Sequence, residues 1–435
     1  MCKNDGRLEP CWATETGMNE EERLGSQSIA VSGRCPFSVN ALKDVLPWDI
    51  YEKQRAKAPV AWDEEMQAWV LFDFADCLAV EMDEARFRNA YQDAPQVVID
   101  IKGGGRNITV LGGEEHAKMR RFLLSLFTPS NIAAYTKNQI EPIVSMLLDR
   151  IESRGAGKAE LCSEFGDETP SRVVLALLGM PWRDDDLVKR TLELHEELVD
   201  VIGGAFRTEE LKQKGLRVST DINNLLLPYI QARRDNPQDD FISRVWIEAP
   251  TGLGAPMTEA DALAICREIY LGGADTTVHG IANLTYLLLT DTSVRAAVEA
   301  DRAQMTRAID ESMRLFGSVM YRFRIANQDA EIGGAHIRKD DRLILLHSAA
   351  NRDPAKYACP EAADLGRKPP NDHLAFNKGP RTCVGAGLAK AEMSTALNAV
   401  LSRLPNLRLD REAQAPEFTG SFMRSWRPLN VLFDV

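Results

Sequence analysis

The sequence predicts a mainly α-helical protein with small peripheral β-sheets, and three observations predict it. Residues 114–245 place apolar side chains at i, i+3 and i+4 almost throughout, as in IEPIVSMLLDRI and INNLLLPYIQARR. Residues 257–290 read as one long helix. Strand signals are short and confined to the flanks of these helices.

Taken in order, residues 1–40 are rich in charge and small polar side chains. They are expected to form a poorly ordered lead-in to a single domain over 41–435. VAWDEEMQAWVLFD reads as two short strands around an acidic turn. The helical stretch 114–245 follows, and then the long helix, which Thr258 and Glu259 are placed to cap. Another helix covers 302–316. AEIGGAHIRKDDRLILLH reads as a hairpin, and the C-terminal PLNVLFDV as a closing strand.

With 52 Lys+Arg against 64 Asp+Glu the formal charge is −12, which argues against a general nucleic-acid binder. No apolar run approaches the ~18 residues of a membrane span, and MCKNDGRLEP has no signal-peptide core. A cytoplasmic monomer without membrane attachment is the expectation. In that setting a singled-out cysteine serves as ligand or nucleophile more readily than as a disulfide partner. Two Gly-rich stretches fail as nucleotide sites. KGGGRN lacks the Gly-Lys-Ser/Thr ending of a phosphate loop and reads as a flexible loop. Gly385-x-Gly387 is followed by Lys390 where a dinucleotide fingerprint needs its third glycine, and no strand–helix–strand unit surrounds it. Electrons for any redox chemistry must come from another chain.

The stretch FNKGPRTCVGAG singles out Cys383. Gly379 and Gly385 permit tight turns and close backbone approach to a bulky planar ligand, and Arg381 offers a fork of donors suited to a carboxylate at that ligand's edge. Zinc is disfavoured, because no second Cys or His stands at ligand spacing around Cys383. A lone thiolate in such a loop points to haem iron held by one protein ligand, with a structural cysteine in a turn as the alternative. Three other patterns accompany it. His116 and Arg120 lie one helical turn apart, and Glu311 and Arg314 form an i, i+3 ion pair. In LGGADTT, Gly272 and Gly273 weaken the long helix by roughly 1 kcal/mol each relative to Ala. Either a ligand needs space against that backbone, so that the helix widens, or another helix crosses closely there.

Together these residues resemble the cytochrome P450 family, specifically its soluble bacterial members. Phe376-x-x-Gly379-x-Arg381-x-Cys383-x-Gly385 is similar to the family's haem-ligand loop. His116-x-x-x-Arg120 resembles its C-helix, Gly272-Gly273-x-Asp275-Thr276-Thr277 its I-helix, and Glu311-x-x-Arg314 its K-helix, in the family's order. Asn351-Arg352-Asp353-Pro354 and His373-Leu374-Ala375-Phe376 also match bacterial members. The resemblance implies the cytochrome P450 fold, with haem b between the I- and L-helices and Cys383 as its proximal thiolate ligand. It implies that Phe376, Gly379 and Gly385 shape the haem loop. His116, Arg120, Arg324 and Arg381 would pair with the propionates, Arg322 being a rival to Arg324. Glu311 and Arg314 would be structural.

The same resemblance implies a monooxygenase that activates O2 and hydroxylates or epoxidises a small-to-medium hydrophobic substrate. Asp275 and Thr276 would relay protons. Electrons would come from a [2Fe-2S] or similar ferredoxin and its NAD(P)H-dependent reductase. The pocket would include Ile269, Gly272, Ala274, Val319, Met320 and Phe422, with few fixed charges. A peroxide-driven peroxygenase is disfavoured by the acid–alcohol pair, and a non-catalytic haem sensor by the lack of anything resembling an output domain. Lys118, Arg121, Lys378 and Lys390, on the thiolate side, would form a docking patch for the acidic ferredoxin. Four positions depart from the family pattern. Asn377 stands where many members have Gly. Ser318 replaces a common Pro, which is expected to loosen the strand beside it. Ala362 and Ala363 replace an Arg and a Phe, leaving the Glu311–Arg314 pair without its usual third partner.

Overall fold

The computed structural model describes residues 38–39, 42, 45–104, 106–203 and 208–435, the side chain of residue 200 excepted. The lead-in expected over 1–40 therefore lies, but for 38–39, outside the described residues. Helices dominate. The expected helix at 257–290 is a single α-helix, Glu259–Thr290, that serves as the axis of the molecule. Thr258 caps it: its hydroxyl accepts the Asp261 N–H, and the Asp261 side chain returns a bond to the Thr258 N–H, so two otherwise orphaned donors are satisfied. Apolar residues surround this helix on nearly every side, as a helix packed within others requires. Glu168–Leu177, Glu209–Asp235, Met305–Phe316 and Ala386–Arg403 all pack against it.

Among the described residues the helical stretch 114–245 resolves into seven α-helices, from Gly113–Leu126 to Phe241–Leu253. One strand, Lys158–Glu160, interrupts them. Three residues are too short to show alternation, and pairing with Asn430–Leu432 rather than local propensity makes them a strand.

The two strands read in VAWDEEMQAWVLFD are Val60–Asp63 and Ala68–Leu71, antiparallel, with Trp62 opposite Trp69. Ala68–Leu71 pairs in parallel with Arg342–Leu345, which pairs with Arg322–Ala326, and Phe87–Asn89 closes this five-stranded sheet. The predicted hairpin over 330–347 thus divides. Ala330–Ile332 and Ala335–Ile337 form a tight hairpin, whereas Arg342–Leu345 joins the larger sheet. The C-terminal strand Asn430–Leu432 lies between Lys158–Glu160 and Arg408–Leu409. Among the described residues no helix is long and apolar enough to cross a membrane.

One large apolar core surrounds the axial helix. A second joins Tyr51 and Phe72 to Val319, Met320, Tyr321 and Phe323 and to Phe418 and Phe422. The chain from Gly317 to Phe323 therefore runs between the axial helix and the five-stranded sheet.

Candidate active site

Cys383 lies just before the helix Ala386–Arg403, in a loop that the backbone holds closed. Its N–H donates to the Phe376 carbonyl at 2.8 Å, and the Thr382 hydroxyl donates to Gly379 O at 2.8 Å. Gly379 has φ +66°, and a Cβ there would meet the Glu81 carbonyl at 2.9 Å, so glycine is required twice over. Asn377, standing where glycine is common, also has a positive φ, +57°. Its side chain compensates for the strain by donating to Arg381 O at 3.2 Å and accepting from Arg322 Nε at 3.2 Å. Cys383 carries a free thiol with a large accessible surface, yet burial is the leading cause that raises its pKa. The sulfur therefore faces an enclosed space rather than bulk water. The N–H groups of Gly385 and Ala386 and the cations Arg322 and Arg120 oppose that rise, as a thiolate site needs.

Basic side chains converge on the same space. His116 is buried on the helix Gly113–Leu126, and burial, with Arg381 and Arg120 nearby, lowers its pKa to about 4, so it is neutral at ordinary pH. Arg120, one turn on, donates to Thr382 O. Arg322 and Arg324 stand two apart on one strand and so share a face. Arg324 is buried and donates from Nη1 to Phe323 O at 2.9 Å, while its Nη2 has no partner. An orphaned, buried guanidinium nitrogen close to Arg322, whose field reaches Cys383, is what an acidic group at the edge of a planar ligand would satisfy. The residues present fit a haem in this respect. Arg381 departs from expectation. Its Nε donates to Glu84 at 2.7 Å, Nη1 to Ile108 O at 3.2 Å, and Nη2 to Leu111 O at 2.7 Å and to Glu84. It ties the cysteine loop to two neighbouring segments, because Glu84 already supplies the carboxylate it was expected to seek.

On the axial helix the two glycines divide the two readings between them. A Cβ at Gly273 would meet Val174 Cγ2 at 2.8 Å, which is the close helix crossing. A Cβ at Gly272 would meet nothing within 4 Å, which is the open space. The expected widening is absent: the helix is α throughout. The Thr276 hydroxyl donates to Gly272 O at 2.9 Å instead. Asp275 keeps 17% of its side chain accessible, and its Oδ2 has no partner. Burial first, then Asp167, raise its pKa to about 7, so the surface it shows is again internal. Ser318, expected to loosen its strand, does the reverse. It is buried and donates to Thr276 O at 2.7 Å, fixing the strand entry to the helix at the acid–alcohol pair.

The Glu311–Arg314 pair is buried and bidentate, both bonds being 2.9 Å. The sequence left its third partner open, and the structure supplies Arg367. Its Nε donates to Glu311 Oε2 at 3.1 Å, and its other nitrogens bind the carbonyls of Ala358, Cys359 and Ala362. Arg367 lies four and five residues beyond the alanines, so no linear spacing announced it.

Of the expected pocket residues, Gly272 faces open space, and Val319, Met320 and Phe422 meet where Val319 bridges Met423 and Met320 N–H donates to Phe422 O at 3.0 Å. Ala274 and Ile269 are both packed in the main core; Ala274, two residues on from Gly272 and so turned away from it, has no accessible surface. Of the flexible loop expected at KGGGRN, Gly105 lies outside the described residues, and the two ends of the stretch are held together. Asn107 is fully buried and donates to Lys102 O at 2.7 Å and to Glu268 on the axial helix at 2.6 Å. Two of the four expected docking cations are already engaged. Lys118 lies 3.3 and 3.2 Å from Glu114 and Glu115, and Lys390 is bound to the buried Asp310.

Comparison with known proteins adds independent findings. The family model described as Cytochrome P450 matches residues 79–433. Cytochrome P450 105C1 of a Streptomyces species is 31% identical over 360 residues, 82% of this chain and 87% of that protein. Pentalenic acid synthase of Streptomyces avermitilis is 30% identical over 315 residues, 72% and 74% of the respective chains. Among solved structures, P450BioI in complex with an acyl carrier protein ligated by hexadec-9Z-enoic acid superposes with a TM-score of 0.76 at 26% identity. The match covers 89% of this chain and 98% of that one.

Proposed function

Because this chain belongs to the cytochrome P450 family, whose members are haem b monooxygenases, we propose that it hydroxylates or epoxidises a small-to-medium hydrophobic substrate with electrons from a ferredoxin and its NAD(P)H-dependent reductase. One observation carries the site assignment: the free thiol of Cys383 lies in the field of Arg322, which shares a strand face with Arg324 and its unpartnered nitrogen. Cys383 is the thiolate ligand in this reading, and His116, Arg120 and Arg324 receive the propionates, with Arg322 on the same strand face. Arg381 acts through the loop it ties down. When bound, the haem supplies dioxygen activation and transfer of one oxygen atom to the substrate.

The chain's own residues manage protons and position. Thr276 presents its hydroxyl at the open face of Gly272, and Asp275 supplies protons from behind it. The groups facing Asp275 are His279, whose Nε2 lies 4.0 Å away, and Asp167, Arg427 and Glu196. Asp275 is protonated below its pKa of about 7 and ionised above it. Turnover is therefore expected to fall as pH rises through about 7. Asp275→Asn is expected to remove that limb and slow turnover about a hundredfold. Thr276→Ala is expected to keep reductant consumption but divert it to hydrogen peroxide. Unchanged turnover, pH profile and coupling in both variants would take the pair out of the proton path.

The retained acid–alcohol pair favours dioxygen over peroxide as the oxidant. Oxygen consumption and product formation with NADH, ferredoxin and reductase, set against peroxide alone, test this. Turnover with peroxide only would make the enzyme a peroxygenase, and no turnover with either would leave a sensor. The docking surface narrows to Arg121, which is exposed, and Lys378, whose ammonium meets only the Asn371 carbonyl. Reversing both to Glu is expected to slow reduction by ferredoxin, most strongly at low salt, and to leave reduction by dithionite unchanged. Equal ferredoxin rates in the double variant and the parent at low salt would move the docking site elsewhere.

A further inference from the structure

The roof of the enclosed space holds charges that the proton path does not use. Glu268, Gly272 and Thr276 fall at i, i+4 and i+8 on the axial helix, so they share one face, and all three keep accessible surface where most of that helix is buried. Above Glu268 stands Lys102, immediately after the helix Gln96–Ile101. The Lys102 ammonium lies 3.9 Å from Glu268 Oε1, too far for a hydrogen bond, and 4.9 Å from the centre of the Tyr91 ring. Among the described residues no acceptor is recorded within hydrogen-bond distance of it. The carboxylate below is itself drawn off by Asn107, which donates to the same Oε1 at 2.6 Å.

Arg267, the residue before Glu268 on the helix, adds a second buried cation. It donates to Ser219 O, Ser219 Oγ, Asn223 Oδ1 and Ile101 O, all neutral, and its Nε has no partner. Two cations therefore share one carboxylate, and the roof keeps a buried positive charge. Uncompensated buried charge is unfavourable unless an anion completes it. Burial lowers the pKa of Lys102, Glu268 opposes this, and Arg267 and Arg322 add to it, so a further anion would restore the ammonium.

We infer that Lys102 binds a carboxylate carried by the substrate, with the hydrophobic body reaching down the open face of the axial helix toward Thr276. The inference rests on the monooxygenase reading and adds the chemical class of the molecule oxidised. Eight residues at ~1.5 Å rise separate Glu268 from Thr276, so the acid group and the oxidised carbon stand about 12 Å apart. On this inference the pocket holds a fixed cation, in place of the few fixed charges expected.

The test titrates the haem-loaded enzyme with decanoic, dodecanoic and tetradecanoic acids and with their methyl esters, reading the spin-state shift of the Soret band. At least one acid is expected to bind about tenfold or more tighter than its ester, the effect of one charge-assisted hydrogen bond. Lys102→Gln is expected to abolish that preference while leaving ester affinity unchanged, Lys102→Arg to retain it, and Glu268→Gln to increase it. Acid and ester binding equally, no acid binding at all, or a preference that survives Lys102→Gln would each overturn the inference. The carbon-monoxide spectrum of the same samples separates the two levels. With the thiolate band present, such results remove the carboxylate site alone, and without it both readings fall.

Discussion

Cys383→Ala is expected to abolish the carbon-monoxide band characteristic of thiolate-ligated haem, leaving helical content unchanged by circular dichroism. The loop explains why loss should be complete rather than partial. The Cys383 sulfur receives the N–H groups of Gly385 and Ala386 and the field of Arg322 and Arg120, and Ala retains no atom for iron to bind. The loop itself should survive, since its closure rests on the Cys383 N–H to Phe376 O and Thr382 to Gly379 bonds, neither of which uses the sulfur. A structural cysteine behaves in the opposite way: its replacement lowers stability and leaves the band in whatever protein remains folded. Reduced, carbon-monoxide-treated protein showing the band at full strength in Cys383→Ala would therefore sink the ligand assignment.

Arg314→Ala is expected to prevent recovery of folded, haem-loaded protein. Arg314 neutralises the buried Glu311 carboxylate through two 2.9 Å bonds and also donates to the carbonyls of Asn351, Pro360 and Ala362. Removing one partner of a buried ion pair costs about 3–5 kcal/mol, against a total stability of roughly 5–15 kcal/mol. Arg367→Ala is expected to cost less, about 1–3 kcal/mol, because Glu311 keeps Arg314 and the Asp364 N–H. Urea midpoints of the two variants check this ranking. If Arg367→Ala were as damaging as Arg314→Ala, the third arginine would be an equal member of the cluster rather than a support.

Legibility followed the range of the interaction. Thr258 as a cap, Gly379 as a turn residue and the Glu311–Arg314 pair each depend on neighbours within a few positions, and each was visible in the sequence. Ser318 was misread because its partner, the Thr276 carbonyl, lies 42 positions away. Arg381 was read as free for a carboxylate, since nothing near it in sequence reveals Glu84, 297 positions distant. The hairpin over 330–347 failed for the same reason. Its second half obeys the register of Ala68–Leu71, across the chain, rather than that of its neighbour.

By itself, then, the sequence determined the helical class, the axial helix, the cysteine loop and, through their order, the family. Helix periodicity, caps and glycine turns are short-range effects written in adjacent residues. The tertiary structure alone decided that Gly272 opens on space while Gly273 admits Val174, that Arg367 completes the buried pair, and that Lys102 stands over Glu268 with too few anions to balance the cations around it. Those outcomes depend on which side chains reach one another after packing. Burial also sets what a charge there is worth: the separation that would matter little in water decides protonation and partnership in an enclosed space.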